Sequence, residues 1–138
     1  MKKENKQVDK KVAEFNFKTI TSFEKACEKE GIDPNALPNM DGCLDEFKKA
    51  IIAVYKLFII HKAINNGWIP RMGDVNQLKY WAYHWVLSSG LGFGGSDYGC
   101  GGTYALVGSR LCTFSPEGAM FIAETFTQEW ADFKLNIQ

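Results

Sequence analysis

The sequence has no uninterrupted apolar run of the ~20 residues that a membrane-spanning helix requires. Its most apolar stretch, residues 50–60, is interrupted by Lys56. The charged start, residues 1–6, is not followed by the apolar segment that a secretory signal needs. Neither a membrane protein nor a secreted one is therefore indicated, and the expected location is the cytoplasm.

A net charge of either sign is also lacking, because sixteen Lys and Arg side chains balance sixteen Asp and Glu side chains. Proteins that mainly grip nucleic acid carry clustered basic residues, so the balance argues against that class while leaving a local basic patch open. Hydrophobic residues make up 46% of the chain, enough for one globular domain. We assign that domain to residues 15–138, behind a flexible polar tail at 1–14.

Closely spaced metal ligands are absent as well. There is no C-x-x-C pair, and the two histidines stand far apart in the chain. Structural zinc sites normally use tight ligand pairs, so we expect no metal and buried, reduced cysteines. One alternative stays open, in which Cys100 or Cys112 is a nucleophile with His84 as its base. The four cysteines are Cys27, Cys43, Cys100 and Cys112.

The segment Gly90–Gly95 matches the nucleotide-binding pattern G-x-G-x-x-G. That motif works only where a helix opens directly after it and faces a pyrophosphate. The next residues, 96–102, are too rich in glycine to begin a helix. We interpret these glycines as turns between strands and expect no cofactor.

What the chain has is a concentration of tryptophan and glycine between Trp68 and Ser115. Residues 80–86 alternate with a period of two, which is typical of a strand. Trp81, Tyr83 and Trp85 would share one face, and Tyr80, Ala82, His84 and Val86 the other. A second short strand between the glycine clusters and a third within Thr103–Phe114 would complete a three-stranded antiparallel meander.

Helix signals flank this segment. Thr21 and Glu24 form a capping box for a short helix that should end at Gly31. A long helix should span Leu44 to Asn66, and its apolar centre predicts burial on more than one side. Ser115 followed by proline begins a C-terminal helix, which we expect to pack on the sheet. The predicted fold is thus α+β, with two N-terminal helices, a three-stranded meander and a C-terminal helix. The apolar stripe of that last helix comprises Ala119, Ile122, Ala123, Phe126, Trp130 and Phe133.

The candidate binding residues follow from the aromatic strand. One of its faces must pack on the helices, which leaves the other for a protein partner or for self-association. The alternative is single-stranded nucleic acid, with bases stacked on the rings and phosphates held by Lys79, Arg71 or Arg110. No catalytic residue is recognisable, so no enzyme is predicted. The candidates are Tyr80, Trp81, Tyr83, His84, Trp85 and Arg110.

Three segments, at residues 22–38, 47–68 and 107–126, together resemble a family of uncharacterised proteins from gut anaerobic bacteria and their phages or other mobile elements. The similarity runs from about Phe17 to Phe133. The chain departs from the family where Gly-Trp-x-Pro-Asp-Trp and Tyr-Tyr-Pro-aromatic are expected, since residues 67–72 read Gly-Trp-Ile-Pro-Arg-Met and residues 80–83 Tyr-Trp-Ala-Tyr. The resemblance implies an origin but carries no activity. The resulting expectation is a non-enzymatic accessory protein of a phage or mobile element that binds another protein.

Overall fold

The structure is a computed structural model that describes residues 10–102 and 107–136. Within these residues, helices pack around a two-stranded antiparallel sheet, which confirms the α+β class. Short 3₁₀ turns lie at Phe17–Thr19 and Ser109–Leu111. The principal elements are α1 (Phe23–Glu30), α2 (Asp45–Asn65), β1 (Lys79–Val86), β2 (Phe93–Gly101), α3 (Pro116–Thr125) and α4 (Thr127–Lys134).

The N-terminal part differs in detail from the expectation. Residues 10–14, which the sequence assigns to the polar tail, form a helical turn, and Val12 is buried. Residues 1–9 of that tail lie outside the described residues. The N-cap of α1 is Ser22, whose hydroxyl accepts a hydrogen bond from the Lys25 amide at 3.2 Å, so the predicted Thr21 cap is wrong by one residue. Gly31 ends the helix in the left-handed conformation, as predicted.

Helix α2 is the spine of the core, but only along its second half. Leu57, Ile60 and Ile64 are fully buried between α1, α3 and α4. The first half leaves Phe47 and Ile51 exposed, so the prediction of burial on several sides holds from Ala53 onward. The helix ends at Asn65, within one residue of the predicted end.

The predicted three-stranded meander is wrong, since the described residues form a sheet of two strands. The only further pairing among them is a single bridge, in which Tyr80 and Thr113 exchange backbone hydrogen bonds of 3.1 and 2.7 Å. This bridge lies beside β1 and not beside β2, unlike the third strand of a meander. Gly108 takes a φ of 77° and a 3₁₀ turn follows it, so the backbone before Cys112 is not extended. Residues 103–106 of the predicted third strand lie outside the described residues.

The C-terminal segment forms two helices, where the apolar stripe predicts one. Ser115 caps α3 by accepting a hydrogen bond from the Gly118 amide at 3.0 Å, as predicted. The break falls at Phe126, whose backbone leaves the helical region while its ring is buried. Thr125 and Thr127 flank the break, and β-branched residues are weak helix formers. As a result, α3 packs on both strands of the sheet and α4 packs on α2. None of the described helices is both long and apolar enough to cross a membrane.

Candidate functional site

The outer surface of the sheet carries a row of aromatic rings from β1 and a row of small residues from β2. Trp81 lies opposite Gly99, Tyr83 opposite Asp97, and Trp85 opposite Gly95. We call these six residues the hairpin face. The rings of Tyr83 and Trp85 meet edge to face with centroids 5.5 Å apart. Because Gly99 and Gly95 have no side chains, the indoles of Trp81 and Trp85 can lie against the backbone of β2.

A substitution tests this packing. A Cβ atom on Gly99 would lie less than 3.0 Å from three atoms of the Trp81 indole, whereas Gly73 has nothing within 4 Å. We expect Gly99→Ala to lower the free energy of unfolding by about 1–3 kcal/mol, because the new methyl group must displace the Trp81 indole from its position against Gly99. The matched Gly73→Ala should leave stability within about 0.5 kcal/mol. Urea unfolding followed by circular dichroism measures both, and equal values would contradict the seating of Trp81 on Gly99.

The hairpin face becomes more exposed toward the turn between the strands. Trp81 is buried, while Tyr83 is 39% and Trp85 is 54% exposed. Beyond Trp85, the turn presents three further apolar side chains to solvent. We call these residues, Val86, Leu87 and Leu91, the hairpin tip; Leu91 is 69% exposed. A concentration of exposed apolar side chains is typical of interaction sites in soluble proteins.

Charge is almost absent from this surface. Between Tyr80 and Gly108 the sequence has one formally charged residue, Asp97. Its carboxylate accepts hydrogen bonds from the Tyr98 amide at 2.8 Å and from the Tyr83 hydroxyl at 3.4 Å. The surface therefore offers apolar area with little electrostatic character.

The inner surface of the sheet holds the other two predicted strand residues. Tyr80 is half-buried, and its ring contacts that of Tyr98. His84 stacks on Phe93 with ring centroids 4.1 Å apart, and its Nε2–H donates to the Ala123 carbonyl at 3.1 Å. Its Nδ1 then accepts from Lys134 Nζ at 3.0 Å. His84 thus fastens the sheet to the C-terminal helices, and neither Tyr80 nor His84 is on the hairpin face.

Burial lowers the pKa of both His84 and Lys134. Desolvation, followed by the charge of Lys134, lowers the pKa of His84 below its usual value. Desolvation by burial lowers the pKa of Lys134 to about 8. Its ammonium group lies 4.3 Å from the centroid of the Trp130 ring and against His84. At neutral pH the imidazole is therefore neutral and serves as an acceptor.

The thiol and imidazole of the nucleophile hypothesis are not brought together. Cys100 is exposed and pairs with Tyr80 across the sheet, while His84 pairs with Ser96. Four strand residues therefore separate Cys100 from the position opposite His84, or roughly 13 Å. Cys112 is buried, and desolvation raises the pKa of its thiol to about 11. Cys100 is therefore not placed for attack with His84 as its base, and the raised pKa of Cys112 keeps its thiol protonated.

None of the three cations suggested for phosphate binding serves the hairpin face, because Lys79 and Arg71 bind other groups and Arg110 lies at a different site. Lys79 is buried, and its ammonium donates to the carbonyls of Asp74 and Gly102 at 2.8 and 2.7 Å. Arg71 pairs with the Asp74 carboxylate at 3.0 Å. Arg110 lines a cavity formed by other elements of the fold. The hairpin face thus gains no positive charge from them.

That cavity is a second candidate site, which the sequence analysis did not identify. One face of α2 supplies Tyr55, Phe58, Lys62 and Asn65 at helical spacing, and the opposite wall comes from residues 68–70 and from the turn at 109–110. Its volume is about 490 Å³, within the range of small-molecule sites. We call this cavity the α2 pocket. The remaining lining residues are Ile32, Ile59 and His61.

Two buried polar side chains lie at the base of the α2 pocket. Asn65 donates from Nδ2 to the Cys112 carbonyl at 2.9 Å, but its buried Oδ1 accepts no hydrogen bond. His61 Nδ1–H donates to the Leu57 carbonyl at 2.6 Å, which leaves Nε2 as an acceptor. Desolvation lowers the pKa of His61 to about 4, so the ring is neutral. The base of the pocket therefore holds two acceptor atoms, of which Asn65 Oδ1 is closed to solvent.

A third feature is an apolar patch on the exposed half of α2. Phe47 and Ile51 lie there near Phe133 of α4. Charged side chains surround the patch, including the ion pair between Lys49 and Asp132 at 3.5 Å. Its charged surroundings distinguish it from the hairpin tip, and it provides a useful control surface.

No group of three or more potential metal ligands occurs within residues 10–102 and 107–136. No family model matches the chain, and comparison with curated proteins and with solved structures gave no match either.

Proposed function

We propose that this protein is a protein-binding module, that its contact surface is the hairpin face with the hairpin tip, and that a second copy of the chain binds there. The observation that carries the proposal is the exposure of Trp85 together with that of Val86, Leu87 and Leu91 at the adjoining end of the hairpin, with no charge among them. Exposed tryptophans backed by apolar neighbours dominate the binding energy of protein interfaces.

The scarcity of charge favours a second copy over a charged partner. In a two-fold dimer each residue meets its own equivalents, so a charged surface would repel itself. The hairpin tip and Trp85 avoid this because they are neutral. Asp97 lies two residues beyond Gly95 on β2, roughly 7 Å away, so a dimer centred on Trp85 holds the two carboxylates at its rim.

The sequence resemblance supports a setting for this activity. We infer a non-enzymatic accessory protein of a phage or other mobile element, which works by assembling with itself. The separation of His84 from Cys100 and the raised pKa of Cys112 support the non-enzymatic part.

Sedimentation velocity over a concentration series tests the proposal. The wild-type protein should show a monomer–dimer equilibrium, and Trp85→Ala should weaken the dimer at least about tenfold, as expected for an interface anchor. Phe47→Ala is the matched control, since Phe47 is 51% exposed in the other apolar patch. The control should dimerise like the wild type.

A wild-type protein that stays monomeric at every concentration would overturn self-association. An effect of Phe47→Ala without one of Trp85→Ala would move the interface to α2. Binding of short single-stranded oligonucleotides at low salt, lost in Trp85→Ala, would favour the nucleic-acid alternative, for which the row of three rings is the supporting feature.

A further inference from the structure

The α2 pocket combines three features that are typical of ligand-binding sites. It has aromatic walls, a buried polar base and a cationic rim, and α2 builds them together with the distant segments at 68–70 and 109–110. From this combination we infer that the α2 pocket binds a small aromatic carboxylate that carries a hydrogen-bond donor at the end opposite its carboxylate. The inference is independent of the hairpin face and adds a ligand to the proposed binding module.

The walls favour a flat ring. Tyr55 and Phe58 project from α2, and Trp68 faces them from the segment that follows the helix. The Trp68 ring is held from behind by Phe114, at a centroid distance of 6.5 Å and an interplanar angle of 62°. Aromatic rings gain most from such neighbours in offset or edge-to-face contact.

The base of the pocket favours a ligand with a hydrogen-bond donor. Asn65 is 6% exposed, and its Oδ1 is the only buried side-chain polar atom within the described residues that lacks a hydrogen-bond partner. Leaving such an acceptor unsatisfied is costly, and native proteins rarely do so without a ligand or a water molecule. His61, which also lines the pocket, keeps Nε2 as a further acceptor. A phenol or an indole N–H reaching the base would meet this need.

The rim of the pocket favours a negatively charged group on the ligand, because its charged side chains are cationic. Arg110 is exposed at the mouth, and no carboxylate of the described residues lies within 4.0 Å of it. Lys62, also on the rim, has only a loose contact with Glu30 at 3.9 Å. A guanidinium group binds a carboxylate through two parallel hydrogen bonds. The carboxylate therefore belongs at the mouth, and the donor belongs at the base.

Three probes of one size separate these requirements: 4-hydroxyphenylacetate, phenylacetate and 4-hydroxyphenylacetamide. The first has both groups, the second lacks the donor, and the third lacks the charge. We expect 4-hydroxyphenylacetate to bind with a Kd at or below about 1 mM, and each of the others at least about fivefold more weakly. Isothermal titration calorimetry with the full chain measures all three, and tryptophan fluorescence quenching that is lost in Trp68→Phe reports the location.

Substitution at the rim provides the second arm. Arg110→Gln should weaken 4-hydroxyphenylacetate about tenfold while leaving the affinity for the uncharged amide unchanged. The matched control is Arg71→Gln, which alters the chain's other arginine, already paired with Asp74. Asn65→Leu should abolish the preference for the phenol over phenylacetate. If that variant does not fold, the comparison of the two acids on the wild-type protein still tests the base.

Three results would each overturn the inference. The first is that none of the probes binds at about 5 mM, well above the expected Kd. The second is that all three bind equally, which would show a nonspecific apolar cleft. The third is that Arg110→Gln binds 4-hydroxyphenylacetate as tightly as the wild type does.

Discussion

Replacing Trp130 with alanine should lower the free energy of unfolding by about 3–5 kcal/mol, a large share of the total stability of a domain of this size. Trp130 is 1% exposed and joins three elements of the fold. Its ring contacts His61 of α2 edge to face at 5.8 Å and His84 of β1 at 5.6 Å, and its Nε1–H donates to the Ile122 carbonyl of α3 at 3.2 Å. Alanine would leave a cavity where these elements meet.

Thermal unfolding followed by circular dichroism measures this loss of stability. Two further variants on α4 serve as comparisons. Trp130→Phe keeps most of the apolar volume and should cost less than half as much, since Ile122 O still accepts the Phe126 amide at 3.2 Å. Phe133→Ala, on the same helix but 37% exposed, should cost about 1 kcal/mol. A Trp130→Ala protein no less stable than Phe133→Ala would show that α4 does not pack on α2 as described.

Local signals explain the parts of this fold that the sequence predicts correctly. The end of α2 follows from the run Asn65-Asn66-Gly67, where Asn66 adopts a φ of 44° that few other residues tolerate. Ser115 and Pro116 begin α3 through contacts within four residues. The two faces of β1 follow from the alternation of its side chains. Each signal acts within one or two turns of chain, so no knowledge of the tertiary structure is needed.

The largest error of prediction, the third strand, concerns contacts between distant segments. A third strand needs a neighbour with free backbone groups, and the apolar character of residues 103–114 does not say which neighbour that is. The chain instead forms one bridge from Thr113 to Tyr80 and turns at Gly108. The split of the candidate residues has a similar origin. Arg110 belongs with Tyr55 and Trp68 in the α2 pocket, which only the folded chain brings together.

The α2 pocket left a weak trace in the sequence. The α2 face that lines it mixes the aromatic Tyr55 and Phe58 with the polar Lys62 and Asn65, where a purely structural face would be apolar throughout. Such a face could have been noticed, but it does not reveal the opposite wall. The unsatisfied Asn65 Oδ1 is a property of the packing, so it becomes visible only in the structure.

Acidification should destabilise the protein by about 3 kcal/mol between pH 6.5 and pH 4, through His61 alone. Burial lowers the pKa of His61 from 6.5 to about 4 in the folded state. Well above pH 6.5 the ring is neutral in both states and contributes no pH dependence. As the pH falls, the unfolded chain takes up a proton that the folded chain refuses, so the free energy of unfolding decreases until the folded pKa is reached.

The test compares urea unfolding at pH 7.0, 5.5 and 4.5 for the wild type, His61→Leu and His84→Asn. Removing His61 should abolish most of the loss over this range, because leucine keeps an apolar contact with Trp130 and has no proton to bind. His84→Asn should abolish less, since the pKa of His84 is lowered in the same direction but the ring is only half-buried. A His61→Leu protein with the full wild-type pH dependence would mean that His61 takes up its proton without unfolding. The α2 pocket would then have a charged base at mild acidity, and its preference for a neutral donor would be lost with it.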